Sequence, residues 1–499
     1  MMIGGGLLLP LLGFGQESKP NIIVIMCDDL GYNDVGCYGQ QLIETPNIDR
    51  MAREGIRFTQ AYAGSPVSAP SRASFMTGQH CGHTEVRGNK EYWQDVPRMK
   101  YGENDDYSRV GQHPYSANHV ILPEIMKDNG YSTAMFGKWA GGYEGSHSTP
   151  DKRGIDEYFG YVCQYQAHLY YPNFLNRYSR IEGDTTLVRV VLEQNIQHPQ
   201  KGEGYNRRRQ YSADIIHRKA MEWLSRQSDK QPFFGVFTYT LPHAELVQPE
   251  DEILQYYRDK FVDDIDWESH SWSRYNTSHD AHAQFAAMVS RLDGYVGEIL
   301  NELRRMGLDD NTLVIFTSDN GPHAEGGADP WFFGFNAELR GIKRETHEGG
   351  VRVPFIAWWP GRVDAGESDH ILAFYDIMAT CCELAGVDDY IEKYKNDKVA
   401  IDYFDGVSFA PTLLNSGEQQ QHAFLYWEFE ETDQVAVRMG DWKMVSKGGI
   451  PELYNLADDL QETENLAAEY PNIVRQMVAI AHSQHVESPY FKVTMPRIV

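Results

Sequence analysis

Short apolar runs alternate with amphipathic stretches along this chain. "NIIVIM" (Asn21 to Met26) and "TLVIFT" (Thr312 to Thr317) are continuous and rich in β-branched residues, as expected of strands buried on both faces of a parallel sheet. "PFFGVFTYTLPH" and "VPFIAWWPG" read the same way, and "MFGKWAGG" follows another such run. Between them lie helical patterns: "TPNIDRMAREG", with Thr45 as cap and Pro46 in the first turn, then "ILPEIMKDNG" and "FAAMVSRLDGYVGEILNELRRMG". Strands alternating with helices predict an α/β sheet covered by helices on both faces. After about Ala385 the pattern changes. "AFLYWEFEE", "QVAVRMGDWKMVS" and "ELYNLADDLQETENLA" predict short antiparallel strands, with a helix near the C-terminus. The polar loop "NSGEQQQ" (Asn415 to Gln421) divides a large α/β domain over 19–420 from a small α+β subdomain over 421–499.

With 499 residues, 41% of them hydrophobic, the chain can bury a sizeable core. A net charge of −26 argues against nucleic-acid binding, which needs a basic footprint. It leaves room for a small anionic substrate in a locally basic pocket. Ile3 to Phe14 is apolar and flanked by small residues, so residues 1–18 read as a signal-peptide remnant. A spanning helix needs about 20 apolar residues, so no membrane span is expected, and the location is expected to be secreted or periplasmic. The six cysteines form no CxxC and suggest neither a disulfide scaffold nor a thiolate metal site.

Ligands of open α/β sheets bind beyond the carboxyl ends of strands. Two strands here end in oxygen-rich pairs, Asp28-Asp29 and Asp319-Asn320. Three carboxylates and an amide suit Ca²⁺ or Mg²⁺ better than zinc. Taken singly, each pair could merely cap a turn. "SPVSAPSRASFMTG" (Ser65 to Gly78) places Ser68, Pro70 and Arg72 within five residues at a helix start, with Ser71 as the expected cap. A small nucleophile position beside a permanent cation suits an anion, although a capped helix with a surface arginine would read the same. Lys138 and Lys343 each follow strand-like runs and could equally be solvated. Glu348 and Arg352 are expected to form a structural pair. His243 ("TLPHAE") and His323 ("DNGPHAEGG") follow strand ends, where either could protonate a leaving oxygen.

Together these blocks carry a resemblance. "SAPSR" followed by "ASFMTG" resembles the signature of the type I, formylglycine-dependent sulfatases of the alkaline phosphatase superfamily. "PNIIVIMCDDLGYNDVGCYG", "TPNIDRMAREGIRFTQAYA", "GYSTAMFGKW", "VIFTSDNGPH" and "LRGIKRETHEGGVRVPFIAWWPG" resemble further blocks of that family in the family's order, from about Pro20 to Arg362. "ELYNLADDLQETENLA" resembles its C-terminal subdomain. The resemblance implies a large mixed sheet sandwiched by helices, with the small subdomain appended. It implies that Ser68 is oxidised to 3-oxoalanine (formylglycine) by a maturase, of the anaerobic radical kind for a serine. One hydroxyl of the hydrated aldehyde would attack sulfur and the other would expel sulfate, sparing a separate hydrolysis of a serine ester. It further implies one Ca²⁺ on Asp28, Asp29, Asp319 and Asn320. Arg72, Lys138 and Lys343 would neutralise the sulfuryl oxygens, and His243 would assist the leaving group.

One position departs from the family pattern. Many members have a histidine after GKW, where this chain has Ala140, and His147 is a candidate substitute. "EGGADPWFF" and "YQAHLYYPNFL" resemble segments of bacterial enzymes that remove sulfate from glycans. Arg87, Asn89, His168, His323 and Trp331 are the candidate sugar contacts, within a composition rich in Tyr (30) and Trp (10). The expectation is a sulfatase acting at the end of a glycan that carries sulfated galactose or N-acetylgalactosamine. Two alternatives stay open. A phosphomonoesterase or phosphodiesterase would use unmodified Ser68 but would need a second, histidine-rich metal site. A non-catalytic glycan-binding relative is motivated by Ala140.

Overall fold

The computed structural model describes residues 19–93, 110–195, 208–269, 275–334, 339–395 and 403–497; the leader-like segment lies outside them. The centre is a ten-stranded mixed sheet. Its order is Gly366–Ser368, Ile56–Phe58, Phe355–Trp358, Thr312–Ser318, Asn21–Cys27, Phe233–Thr238, Ser132–Lys138, Glu157–Tyr161, Phe174–Ser179, Val188–Val191. The five strands from Thr312–Ser318 through Glu157–Tyr161 run parallel. Antiparallel neighbours on either side make the sheet mixed.

The continuous apolar run of Asn21–Cys27 is explained by burial on both faces. Ile23, Ile25 and Cys27 pack into one core with Phe285, Met288 and Trp223. Ile22, Val24 and Met26 pack into the other with Ala73, Phe75, Ile125 and Met378. The first core is covered by the helices Ser212–Leu224 and Ala281–Met306. The second is covered by Ser68–Thr77, Leu122–Asp128 and Asp376–Leu384. Each fully buried aliphatic side chain contributes about 1.5–3 kcal/mol, so this central strand anchors both layers.

Two expected caps are corrected by longer-range partners. Thr45 occupies the N-cap of the helix Pro46–Glu54, but its hydroxyl accepts from Gly36 N at 2.8 Å and donates to Asp49 at 3.1 Å. The helix's first free amides, Asn47 N and Ile48 N, donate instead to Asp293 of the long helix at 2.9 and 2.8 Å. Ser71 lies within the helix Ser68–Thr77, whose N-cap is Val67, and its Oγ accepts from Gly64 N at 3.1 Å. That helix stops where Gly78 turns left-handed, at φ 67°.

The C-terminal sheet is a four-stranded antiparallel meander of Leu425–Phe429, Gln434–Met439, Trp442–Lys447 and Ile450–Asn455. The helix Pro471–Gln484 packs on it through Val474, Met477, Val478 and Ala481. Arg352 approaches Glu348 at 3.4 Å, but the shorter contact comes from this sheet, as Lys443 Nζ lies 2.7 Å from Glu348. All six cysteines are free thiols. Among the described residues, no helix is long and apolar enough to cross a membrane.

Candidate active site

The sheet's register delivers the acidic pairs side by side. Cys27 pairs with Ser318, so Asp28-Asp29 and Asp319-Asn320 leave adjacent parallel strands at the same level. Asp319 N donates to Cys27 O at 3.0 Å, and Asp29 N, on a left-handed turn with φ 62°, donates to Asp319 Oδ1 at 3.1 Å. Lys138 closes the Ser132–Lys138 strand, and His243 lies in the loop after Phe233–Thr238. That loop is fastened to the first acid by Asp28 N donating to Leu241 O at 3.2 Å.

Ser68, the first residue of its helix, donates from Oγ to Asp28 Oδ1 at 2.8 Å, while Lys138 Nζ holds Asp28 Oδ2 at 2.5 Å. Arg72, one turn further along, donates from Nε to Asp319 Oδ2 at 2.9 Å, and its Nη2 forms ion-pair contacts 2.8 Å from Asp319 Oδ2 and 3.4 Å from Asp28 Oδ2. Asn320 Nδ2 donates to Asp29 Oδ1 at 2.7 Å. Lys343 Nζ lies 2.7 Å from Asp29 Oδ2 and 3.1 Å from His243 Nε2. A lysine ammonium only donates, so Nε2 is the accepting nitrogen; Nδ1–H then donates to Ala244 O. All these residues are buried, and their side chains form one charge-balanced cluster of three carboxylates facing Arg72, Lys138 and Lys343.

Burial opposes ionisation of Asp28, yet the adjacent Lys138 and Arg72 hold its carboxyl well below the usual range. Asp319 goes the other way: burial and the adjacent Asp28 push it up to about 6. Burial lowers Lys138. Burial also opposes the charge on Lys343, but Asp29 and Glu325 hold its pKa above the ordinary value. Burial and the facing Lys343 keep His243 well below the ordinary imidazole range, hence neutral.

The donor set fits a hard divalent cation. Asp28, Asp29 and Asp319 bring carboxylate oxygens, and the buried Asn320 Oδ1 is left without a hydrogen-bond partner. An orphaned buried carbonyl is costly unless something binds it. Asp28, Asp29 and His243 also group closely enough to share an ion. Because His243 Nε2 faces Lys343, the oxygens make the better set.

The remaining predicted residues divide. His168 stacks on His243 with ring centres 4.5 Å apart and planes 6° from parallel, and His323 also stacks on it at 5.6 Å and 17°. Asn89 Oδ1 accepts from Ala69 N at 2.9 Å, beside Ser68. Arg87 is committed to Thr84 O and Glu428 at 2.8 Å each and to Val486 O, tying the large domain to the C-terminal segment. Trp331 is 55% exposed. His147 bonds Tyr115 O at 3.0 Å, and Ala140 adopts a left-handed φ of 57°. The sequence reading missed Glu325, which bonds Lys343 at 3.4 Å and Tyr275 at 2.7 Å and pairs with Arg344. The only local signal was its position two residues after His323.

This frame and cluster define a class: an alkaline phosphatase-like α/β hydrolase for anionic esters, with an oxygen-rich cation cradle beside a nucleophile position. A model of the family described as Sulfatase matches residues 20–387, and the chain belongs to the sulfatase family. It is a sulfuric ester hydrolase. It is 30% identical over 444 residues to N-acetylgalactosamine-6-sulfatase of Rattus norvegicus, covering 87% of this chain and 73% of the relative. It is 26% identical over 542 residues to N-acetylgalactosamine-6-O-sulfatase of Bacteroides thetaiotaomicron, covering 94% of both. Among solved structures it matches Ps i-CgsB with a TM-score of 0.70 at 26% identity, covering 95% of each chain. The same protein in complex with k-i-k-neocarrahexaose matches with a TM-score of 0.69 at 25% identity, again covering 95% of each.

Proposed function

We propose that the chain removes sulfate esters from a sulfated glycan, acting at the chain end on sulfated galactose or N-acetylgalactosamine, with residue 68 matured to formylglycine. The observation that carries this reading is Ser68 Oγ at a helix start, 2.8 Å from Asp28 and within a cluster that also holds Arg72, Lys138 and Lys343. The N-acetylgalactosamine-6-sulfatase relatives, and the solved relative crystallised with a neocarrahexaose, support a sugar substrate. Asp28, Asp29, Asp319 and Asn320 would hold one Ca²⁺, which supplies charge stabilisation for an ionised nucleophile and a sulfuryl oxygen when bound. A hydrated aldehyde at residue 68 supplies a nucleophile that can release sulfate without hydrolysis of an ester.

This chain's own side chains do the rest. Arg72 and Lys138 present fixed positive charge where sulfuryl oxygens would lie, at no reorganisation cost because both are already locked by carboxylates. Neutral His243 and charged Lys343 stand 3.1 Å apart, so a proton for the leaving oxygen is held between them. His168 and His323 both stack on the imidazole and restrict its rotation. Maturation by a formylglycine-generating enzyme and a secreted or periplasmic location belong to the same reading.

The test is the mass of the tryptic peptide from Phe58 to Arg72, taken from protein made in its native host, beside sulfate release from monosulfated sugars. Loss of two hydrogens at residue 68 together with sulfate release is expected. An unmodified serine with no sulfate release from any sugar would overturn the reading.

A further inference from the structure

The helix Ser212–Leu224 runs back into the Phe233–Thr238 strand, so its first turn lies at the carboxyl edge of the sheet, the edge that carries Asp28 and His243. Beside that turn is a cavity of about 600 Å³ lined by Arg208, Arg209, Arg218, Tyr171 and Tyr211. Its charge is unusual for a chain of net charge −26. The two acids in its wall are already engaged: Asp214 with Arg291 at 3.0 Å, and Glu250 with Arg258. Among the described residues, Arg209 and Arg218 form no ion pair. Arg208 Nε and Nη2 are buried without a hydrogen-bond partner, and the nearest acid, Glu245 Oε1, is 3.7 Å away and equally unpartnered. Three arginines with spare donors, Arg208 half-buried at the floor and Arg209 and Arg218 exposed at the rim, raise the local positive potential and present forks that match tetrahedral or planar oxyanions.

The cavity is also coupled to the reacting centre. Tyr211 in its wall stacks on Tyr170 at 5.5 Å and 18°, and the single Tyr170 hydroxyl hydrogen is shared between Thr240 O and His243 O, each 2.8 Å from Oη. Glu245, facing Arg208, is two residues from His243 in the same loop. The cavity is therefore one aromatic ring and one loop away from the imidazole.

We infer that this arginine cavity is a second anion subsite, which takes a sulfate or carboxylate of a neighbouring sugar, so that the substrate is a polyanionic oligosaccharide rather than a monosulfated monosaccharide. This rests on the glycan reading above and specifies its substrate class.

The test uses the full chain with Ser68→Ala in every background, so that no sulfate is released during measurement. Binding of a κ-carrageenan tetrasaccharide (sulfates only) and a chondroitin 6-sulfate tetrasaccharide (sulfates and carboxylates) is measured by calorimetry. The comparison is between that chain and its Arg209→Gln/Arg218→Gln form. Loss of one charged fork weakens binding by about tenfold, so the double change is expected to weaken at least one tetrasaccharide by tenfold or more. Loss on both arms assigns the subsite to sulfate; loss on the chondroitin arm alone assigns it to carboxylate. Equal affinity of the two forms for both sugars overturns the inference. A second readout, with Ser68 retained, is the ratio of kcat/KM on the tetrasaccharide to that on its monosulfated terminal sugar, which should fall by a similar factor; a preserved ratio also overturns it. Sulfate release absent everywhere, with the binding loss intact, would sink the glycan-sulfatase reading and leave the anion subsite standing.

Discussion

Ser68 and Asp28, forty residues apart in sequence, meet through a 2.8 Å hydrogen bond between a helix start and a strand end. The other oxygen of Asp28 is held by Lys138, so the carboxylate does not depend on the serine for its charge balance. Ser68→Ala is therefore expected to leave the unfolding free energy within about 1 kcal/mol of the parent. Sulfate release should fall by at least about 10³-fold, because the reacting atom itself is gone. Parallel denaturant curves and turnover assays check this. Retained turnover would remove Ser68 from the chemistry.

The acidic cluster makes a second expectation. If Asp28, Asp29, Asp319 and Asn320 hold a cation, chelation should abolish turnover and added Ca²⁺ should restore it. Ligand binding to the folded state alone stabilises it by about 2.7 kcal/mol at a hundredfold excess over Kd. The thermal midpoint should therefore rise with Ca²⁺ concentration in the parent and stay flat in Asp29→Ala. A midpoint indifferent to Ca²⁺ in the parent would exclude these residues as its ligands.

What the sequence made legible follows from where the information is local. The strand Asn21–Cys27 is buried on both faces, so every position is apolar and the run announces itself, as does the acidic pair that ends it. The same holds for Thr312–Ser318. Thr45 and Ser71 follow the local capping rules, but their hydroxyls are claimed by Gly36 N and Gly64 N. The helix amides are satisfied by Asp293, 246 residues downstream of Asn47, which no local pattern can reveal. Glu325, Tyr275 and Lys443 escaped notice for the same reason, because only the folded topology brings them to Lys343 and Glu348. Nor does any local pattern reveal that the guanidinium of Arg87 is engaged by Glu428, 341 residues downstream.

Asp34 gives a pH expectation with a definite sign. Its carboxyl is buried and, among the described residues, accepts only Gly31 N at 2.7 Å and leaves Oδ1 unpartnered, so burial pushes its pKa up to about 6. A raised folded-state value means that its stabilising contribution is complete below the unfolded value, near 4, and is lost as pH rises through about 6. By linkage the loss amounts to at most about 3 kcal/mol by pH 7. Asp34→Asn keeps an acceptor for Gly31 N and cannot ionise. It should be more stable than the parent at pH 8, with the difference shrinking towards pH 4. Urea unfolding at both pH values checks this, and a difference that does not change with pH would overturn it.

The last expectation concerns how the C-terminal sheet reaches the site. Lys443 Nζ and Glu348 Oε1, both fully buried, pair at 2.7 Å, and Lys443 also lies 3.4 Å from Glu462. Tyr62 Oη donates to Glu348 Oε2 at 2.7 Å, and Glu348 N donates to Glu462 at 2.7 Å. Lys443→Met therefore removes the cation shared by two buried carboxylates. Breaking one side of a buried pair costs about 3–5 kcal/mol, chiefly through the uncompensated charge left behind. Glu462→Gln in the same chain should recover part of the loss, since it removes one of those charges and keeps an acceptor for Glu348 N. The effect should extend to turnover. Glu348 begins the short helix Glu348–Val351, and Gly321 N donates to Gly350 O at 3.0 Å immediately after Asn320. The approach there is so close that a Cβ on Gly321 would sit 1.9 Å from Gly349 O, so any shift of the helix is passed directly to the cation cradle. Lys443→Met should accordingly need more Ca²⁺ for half-maximal turnover than the parent, and the double variant should need less than Lys443→Met. A stability loss with an unchanged Ca²⁺ requirement would confine the pair to holding the subdomain in place.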